Sequence, residues 1–173
     1  FGVTKAQNNI STINITTVKI PAGTFIMGSS IGEYNHQENE TEHQVTLNPF
    51  YMSKYEISNS EFAAFLNAKG IDGDAIDESG KYPNEVLIYP SANSYNTDRF
   101  DWGLNYIDSA WIPVSGYENY PAINVTWYGA AEFASYVGGR LPTEAEWEYA
   151  CRANTTTPFN TGNCLDNTQA NYN

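Results

Sequence analysis

Positive charge is scarce in this 173-residue chain: eight Lys and Arg stand against twenty Asp and Glu, a formal charge of −12. Such a field repels a phosphate backbone, so nucleic acid is not an expected partner. Long apolar runs are absent too. No stretch approaches the roughly 20 residues that cross a bilayer, and the chain reads as not membrane-spanning. Its start, FGVTKAQNNISTINITTVKI, lacks the basic flank and apolar block of a signal peptide. It is read as mature or trimmed, which leaves export open.

Sulfur and imidazole are equally sparse. Cys151 and Cys164 are separated by twelve residues, with no CxxC spacing, and His36 and His43 lie more than 100 residues upstream of Cys151. Two readings compete. As metal ligands or a redox pair the cysteines have the wrong spacing. As a disulfide they would close a short loop worth roughly 3 kcal/mol, which implies an oxidising compartment. The disulfide is the favoured reading. A thiol hydrolase built on Cys151 and His43 would need an exposed thiolate and an oxyanion hole, and Cys151 is expected on an apolar helix stripe. Five N-x-[ST] triplets, at Asn9, Asn14, Asn39, Asn124 and Asn154, are what an Asn- and Thr-rich chain gives by chance.

What the chain has in quantity is aromatic residues. The apolar share is 41%, aromatics make up 14%, and tyrosine alone accounts for 13 residues. That is too aromatic for disorder and suits half-buried positions where a ring is covered and its hydroxyl stays wet. The length fits one domain with a real core.

Residues 1–14 are polar and expected to be loosely held. ITTVKI (15–20) and TFIMGS (24–29) around Pro21-Ala22-Gly23 read as a hairpin, and residues 44–57 as an extended strand interrupted at Asn48-Pro49. Three helices announce themselves by polar caps. Ser58 with Glu61 is a capping box, followed by an apolar stripe of Phe62, Phe65 and Leu66 that Gly70 ends. A second helix runs from Thr126 to Val137 with Trp127, Ala130, Ala134 and Val137 on one face, and Gly138-Gly139 stops it. Thr143 and Glu146 cap a third, with Trp147, Ala150 and Cys151 as its buried stripe. Residues 71–120 show no sustained period, yet hold many rings, so a loop packed by its own aromatics is expected.

IPAGTFIMGS (20–29), EHQVTLNPFYMSKYEISNSEFAAFLNAKG (42–70), YPAINVTWYGAAEFASYVGGRLPTEAEWEYACR (120–152) and QANYN (169–173) together resemble the formylglycine-generating enzyme (sulfatase-modifying factor) family. RLPTEAEWEYA is the most specific of these stretches. The resemblance implies an α+β, C-type-lectin-like fold of short capped helices, short antiparallel strands and long aromatic loops. It spans roughly residues 18–173, interrupted by an aromatic insertion at 71–119, and implies a domain over 15–173. In this family a C-terminal cysteine pair binds copper and oxidises a substrate cysteine. Cys151 and Cys164 match neither member, so copper is expected only if such a pair follows Asn173. Their place fits a local disulfide of a subgroup that reads YACR…TGNC. Asn171 and the Tyr172 carbonyl fall where the family places calcium ligands, which implies half of a structural calcium site.

Two functions follow as expectations. The first is a non-catalytic extracytoplasmic binding or assembly module with a protein or carbohydrate partner. Family members of this kind include bacterial lipoproteins, so a lipid anchor upstream fits it. The second is the front part of a true formylglycine-generating oxidase. An iron-dependent sulfoxide synthase is disfavoured, because those relatives carry a helical domain with histidine ligands. The partner-contact candidates are Tyr89, Tyr95, Trp102, Tyr106 and Trp111, since Tyr and Trp anchor interfaces and stack on sugars. The acidic run Asp72-Gly73-Asp74…Asp77-Glu78 lacks the Gly and Glu positions of a calcium loop and reads as solvated. Glu144, Glu146 and Glu148 alternate around a helix and cannot converge as a dyad. Glu146 is assigned to the cap, and Arg140 and Arg152 are the expected partners of the others.

Overall fold

A computed structural model describes residues 2–5, 13–34, 36–90 and 102–170. The elements in chain order are β1 (Thr4–Lys5), β2 (Thr17–Ile20), β3 (Gly23–Met27), β4 (His43–Leu47), β5 (Phe50–Ser53), α1 (Asn59–Lys69), β6 (Leu104–Ile107), β7 (Ala110–Pro113), α2 (Trp127–Tyr136), β8 (Gly139–Arg140) and α3 (Glu144–Arg152). They fall into two compact units, Phe1–Val18 with Tyr51–Leu141, and Lys19–Phe50 with Pro142–Asn173. Prolines 21, 49 and 142 lie within three residues of the three crossings, where a residue without an N–H ends a ladder cheaply.

The first unit holds the hydrophobic core. α1 begins as its sequence dictates: Ser58 accepts from the Glu61 N–H, the Glu61 carboxylate accepts from the Ser58 N–H at 2.8 Å, and Gly70 closes the helix in the left-handed region. Phe62, Phe65 and Leu66, three and four residues apart, are fully buried. Phe62 stacks on Phe133 of α2 at 5.6 Å between centroids, and Phe65 meets the same ring edge-on at 5.5 Å. α2 is seated by Thr126, whose hydroxyl accepts from the Gly129 N–H while its own N–H donates to the Leu87 carbonyl. Gly129 is required there, because a Cβ would stand 2.0 Å from that carbonyl oxygen. One sheet, in the order β2-β5-β1-β8, belongs mainly to this unit, with Thr4 facing both Met52 and Arg140.

Several expectations are corrected here. β2 and β3 do not form a hairpin: β2 joins β5, and β3 pairs with β4 in register from Gly23↔Leu47 to Met27↔His43. Pro21 breaks the ladder, and His43–Leu47 supplies a better alternating partner. Within 1–14, Val3, Thr4 and Ile13 are buried. Trp127 is 60% exposed, because it sits at the first turn of α2, off the face that carries Phe133.

The stretch read as an aperiodic loop contains a β6–β7 hairpin. Its two-residue turn, Asp108-Ser109, has φ of 50° and 62°, the mirror-image geometry that suits twisted strands. Trp111 at its centre is 1% exposed, and its indole N–H donates to the Ile71 carbonyl at 2.9 Å. The Asn67 side chain pairs with the backbone of Trp111 as a strand would, donating to its carbonyl and accepting from its N–H, both at 2.8 Å. Asp77, read as solvated, is buried and pairs with Lys69 at 2.7 Å. Next to it the Glu132 carboxylate accepts from the N–H groups of Lys81 and Tyr82. The loop is thus fastened to both helices by carboxylates.

Gly129→Ala is expected to cost about 3 kcal/mol through overpacking, and Ser58→Ala about 1 kcal/mol through the lost cap. Urea denaturation of both variants checks the order. Burial raises the pKa of Asp77, but hydrogen bonds from Lys69 and Ser79 and the Lys69 charge outweigh it and hold the carboxyl below its ordinary value. Its stabilisation is therefore present above the unfolded-state value and is lost as pH falls through the lower, folded one. The difference in stability between wild type and Asp77→Asn should shrink as the pH is lowered from about 6 to 3. A pH-independent difference would contradict it.

Candidate functional site

In the second unit, hydrogen bonds do much of the work that burial does in the first. Among its described residues only Phe50 and Glu146 are buried. α3 opens with the expected capping box, Thr143 accepting from the Glu146 N–H at 3.2 Å and Glu146 accepting from the Thr143 N–H at 2.9 Å. One turn further, Glu148 and Arg152 are paired at 2.8 Å, the favourable i, i+4 order. This pair grips the end of β3. The Gly28 N–H donates to Glu148 Oε1 at 3.0 Å, and Arg152 Nη2 donates to the Gly28 carbonyl at 2.6 Å. Gly28 has φ of 101°, and a Cβ would stand 2.5 Å from the Glu40 carbonyl oxygen, so no other residue fits. Phe25 of β3 packs against Tyr149 at 5.2 Å.

Beside the clamp lies a group that sequence reading missed. The Ser29 hydroxyl donates to Glu40 Oε2 at 2.9 Å and lies 2.7 Å from His36 Nδ1. Its single proton is given to Glu40, so His36 Nδ1–H is the donor to Ser29. The Glu40 carboxyl is held below its usual range by the Gln37 N–H first, then by Ser29, against a small burial effect. The three residue types suggest a nucleophile with a base, but the arrangement is wrong for it: serine sits between the other two. The neighbouring N–H groups are also taken, Gly28 by Glu148 and Ser29 by the Glu40 carbonyl. Neither of these two N–H groups is left to bind an oxyanion beside the hydroxyl. The group ties a loop.

Around these residues runs an open groove of ≈ 710 Å³, with Trp147, Cys151, Phe159, His43, Glu40 and Glu144 on its walls. A second cavity of ≈ 400 Å³ is bordered by Phe25, Tyr149, Arg152, Glu33, Glu42 and Asn154. Trp147 is 57% exposed and Cys151 is exposed, which corrects their assignment to a buried stripe. Glu146, Tyr149 and Arg152 form the covered side instead, because α3 turns its hydrogen-bonding residues towards β3 and Gly28. Cys151 and Cys164 are free thiols, so the expected disulfide is not formed. His43 uses its Nδ1–H on the Thr41 carbonyl.

The remaining candidates scatter. Tyr89 is 50% exposed and Trp102 36% exposed. Tyr106 is half-buried against Trp111 at 5.4 Å. Trp111 itself is core, a correction to its place among partner-contact residues. Tyr95, Asn171 and Tyr172 lie outside the described residues.

The sulfatase-modifying factor enzyme 1-like domain matches residues 3–173. The chain belongs to that family. It is 34% identical over 146 residues to a formylglycine-generating enzyme of Streptomyces coelicolor, covering 78% of this chain and 46% of that one. The mouse formylglycine-generating enzyme is 31% identical over 145 residues, with 78% and 39% covered. Serine/threonine-protein kinase pkn1 of Chlamydia caviae is 31% identical over 156 residues, with 90% and 22% covered. The solved structure of PvdO from Pseudomonas aeruginosa superposes with a TM-score of 0.59 at 26% identity, over 89% of this chain and 55% of that one. The chain therefore spans less than half the length of these three curated relatives, and its α+β fold is of the formylglycine-generating-enzyme type.

Glu148→Ala leaves Arg152 without its partner and the Gly28 N–H without an acceptor, an expected loss of about 2 kcal/mol. Glu148→Gln keeps an acceptor and should lose about half as much. Chemical denaturation followed by far-ultraviolet circular dichroism checks both.

Proposed function

We propose that this chain is the binding and assembly part of a sulfatase-modifying-factor-type domain, working outside the cytoplasm, with the groove of the second unit as its contact surface and a protein or carbohydrate as partner. The observation that carries this reading is the groove itself. It sets exposed aromatic rings beside carboxylates, while the nearby hydroxyl, imidazole and carboxylate are bonded to one another rather than aimed into it.

A second reading is favoured by the identity to formylglycine-generating enzymes. In it, these residues are the front of an oxidase that converts a sulfatase cysteine to formylglycine. Among the described residues no three His, Cys, Asp or Glu side chains converge as a metal site. No step through copper or calcium is therefore derived from them. Copper belongs to the oxidase reading alone, and a structural calcium remains a proposal attached to Asn171 and Tyr172.

The two readings part on one assay. The natural full-length protein is incubated with copper, oxygen and a cysteine-containing sulfatase peptide, and aldehyde is captured with an aminooxy probe. The binding reading expects no aldehyde above a protein-free control. Copper-dependent aldehyde formation would replace it with the oxidase.

A further inference from the structure

Charge narrows the identity of the groove's partner. Segments 19–50 and 142–173 carry eight Asp or Glu against Lys19 and Arg152 alone. Arg152 is committed to Glu148 and the Gly28 carbonyl, so it does not neutralise the rest. Glu33 and Glu144 line the groove with no Lys or Arg but Arg152 among its walls. Two large rings, Trp147 at 57% and Phe159 at 39% exposure, line the same space. Either side of Glu33, Ile31 and Tyr34 are 92% and 91% exposed. Contiguous exposed apolar side chains with a charged rim are the usual mark of an interaction site.

We propose that this groove receives an extended segment of a partner protein in which Lys or Arg residues flank an apolar side chain. The apolar side chain sits against Trp147 and Phe159, and the cations reach Glu33 and Glu144. The proposal rests on reading the groove as a contact surface. It requires neither a cysteine nor any chemistry in the partner.

Other occupants fit less well. A second copy of the chain brings another −12, and an anionic lipid surface is repelled by the same carboxylates. A neutral glycan would stack on the rings but leave the carboxylates without a counter-charge. Volume agrees: ≈ 710 Å³ takes a few side chains, within the roughly 300–1,000 Å³ of ordinary ligand sites.

The test titrates the natural full-length protein with a cysteine-free synthetic peptide that alternates Leu with Lys and Arg, following tryptophan emission and calorimetric heat. Binding is expected to weaken about tenfold between roughly 0.05 and 0.5 M salt. Glu33→Lys and Glu144→Lys should each weaken it about tenfold or more. Glu144→Gln, with an unchanged circular dichroism spectrum, should give a smaller loss and guards against misfolding of the charge reversals. Trp147→Phe should abolish most of the emission change while heat is still released. The proposal is overturned if a peptide with Glu in place of Lys and Arg binds equally well, or if salt and charge reversal have no effect. It is also overturned if acrylamide cannot reach Trp147 in the full-length protein, because the groove is then filled by its own chain. Aldehyde formation in the oxidase assay with normal peptide binding would sink the non-catalytic reading and leave this surface standing. Absent binding with no aldehyde would sink this surface alone.

Discussion

Both main-chain polar groups of Gly28 are held by one ion pair on one helix, and the second unit depends on that. This unit buries almost no large apolar side chain, so hydrophobic burial cannot be what fixes its geometry. A charge-assisted pair of hydrogen bonds gives direction that burial lacks. Glu148 takes the N–H, Arg152 gives to the carbonyl, and the two side chains hold each other at 2.8 Å. The left-handed backbone of Gly28 is what exposes both groups to α3. The same clamp explains why the helix turns Glu146, Tyr149 and Arg152 inward. Trp147 and Cys151, on the other side, are left to form the wall of a groove.

The first unit solves its problem by the opposite means. Phe62, Phe65, Phe133 and Trp111 are packed ring against ring or sealed under the hairpin. The described parts of its irregular stretch are tied down by side chains that imitate backbone: Asn67 to β7, Glu132 to the 81–82 amides, Thr126 to the 86–87 carbonyls. Such ties make loops rigid without regular structure, since each buried main-chain group still finds a partner. Tyr89, Trp102 and Trp127 remain outside this packing.

Local rules were read from the sequence well. Three polar caps, two of them full capping boxes, start α1, α2 and α3 where the sequence places them, because a cap needs only residues three apart. The i, i+4 spacing also made Arg152 the natural partner of Glu148. The β3–β4 pairing was misread, since a turn signal at Pro21-Ala22-Gly23 cannot say which distant strand competes for the ladder. Asp77 looked solvated because four acidic residues in a short run usually are, and nothing local announces that Lys69 will reach it. The Ser29–His36–Glu40 group left no signal at all, being spread over a polar loop with no period.

Helix starts and stops, the acidic balance and the family were therefore set in the sequence alone, because each depends on neighbours along the chain or on composition. Which face of α3 is covered, whether Trp111 is core or surface, and whether Cys151 meets Cys164 were decided only in three dimensions. Those outcomes depend on contacts such as Gly28 with Arg152, 124 residues apart. A pattern read along the chain carries no term for a partner that distant.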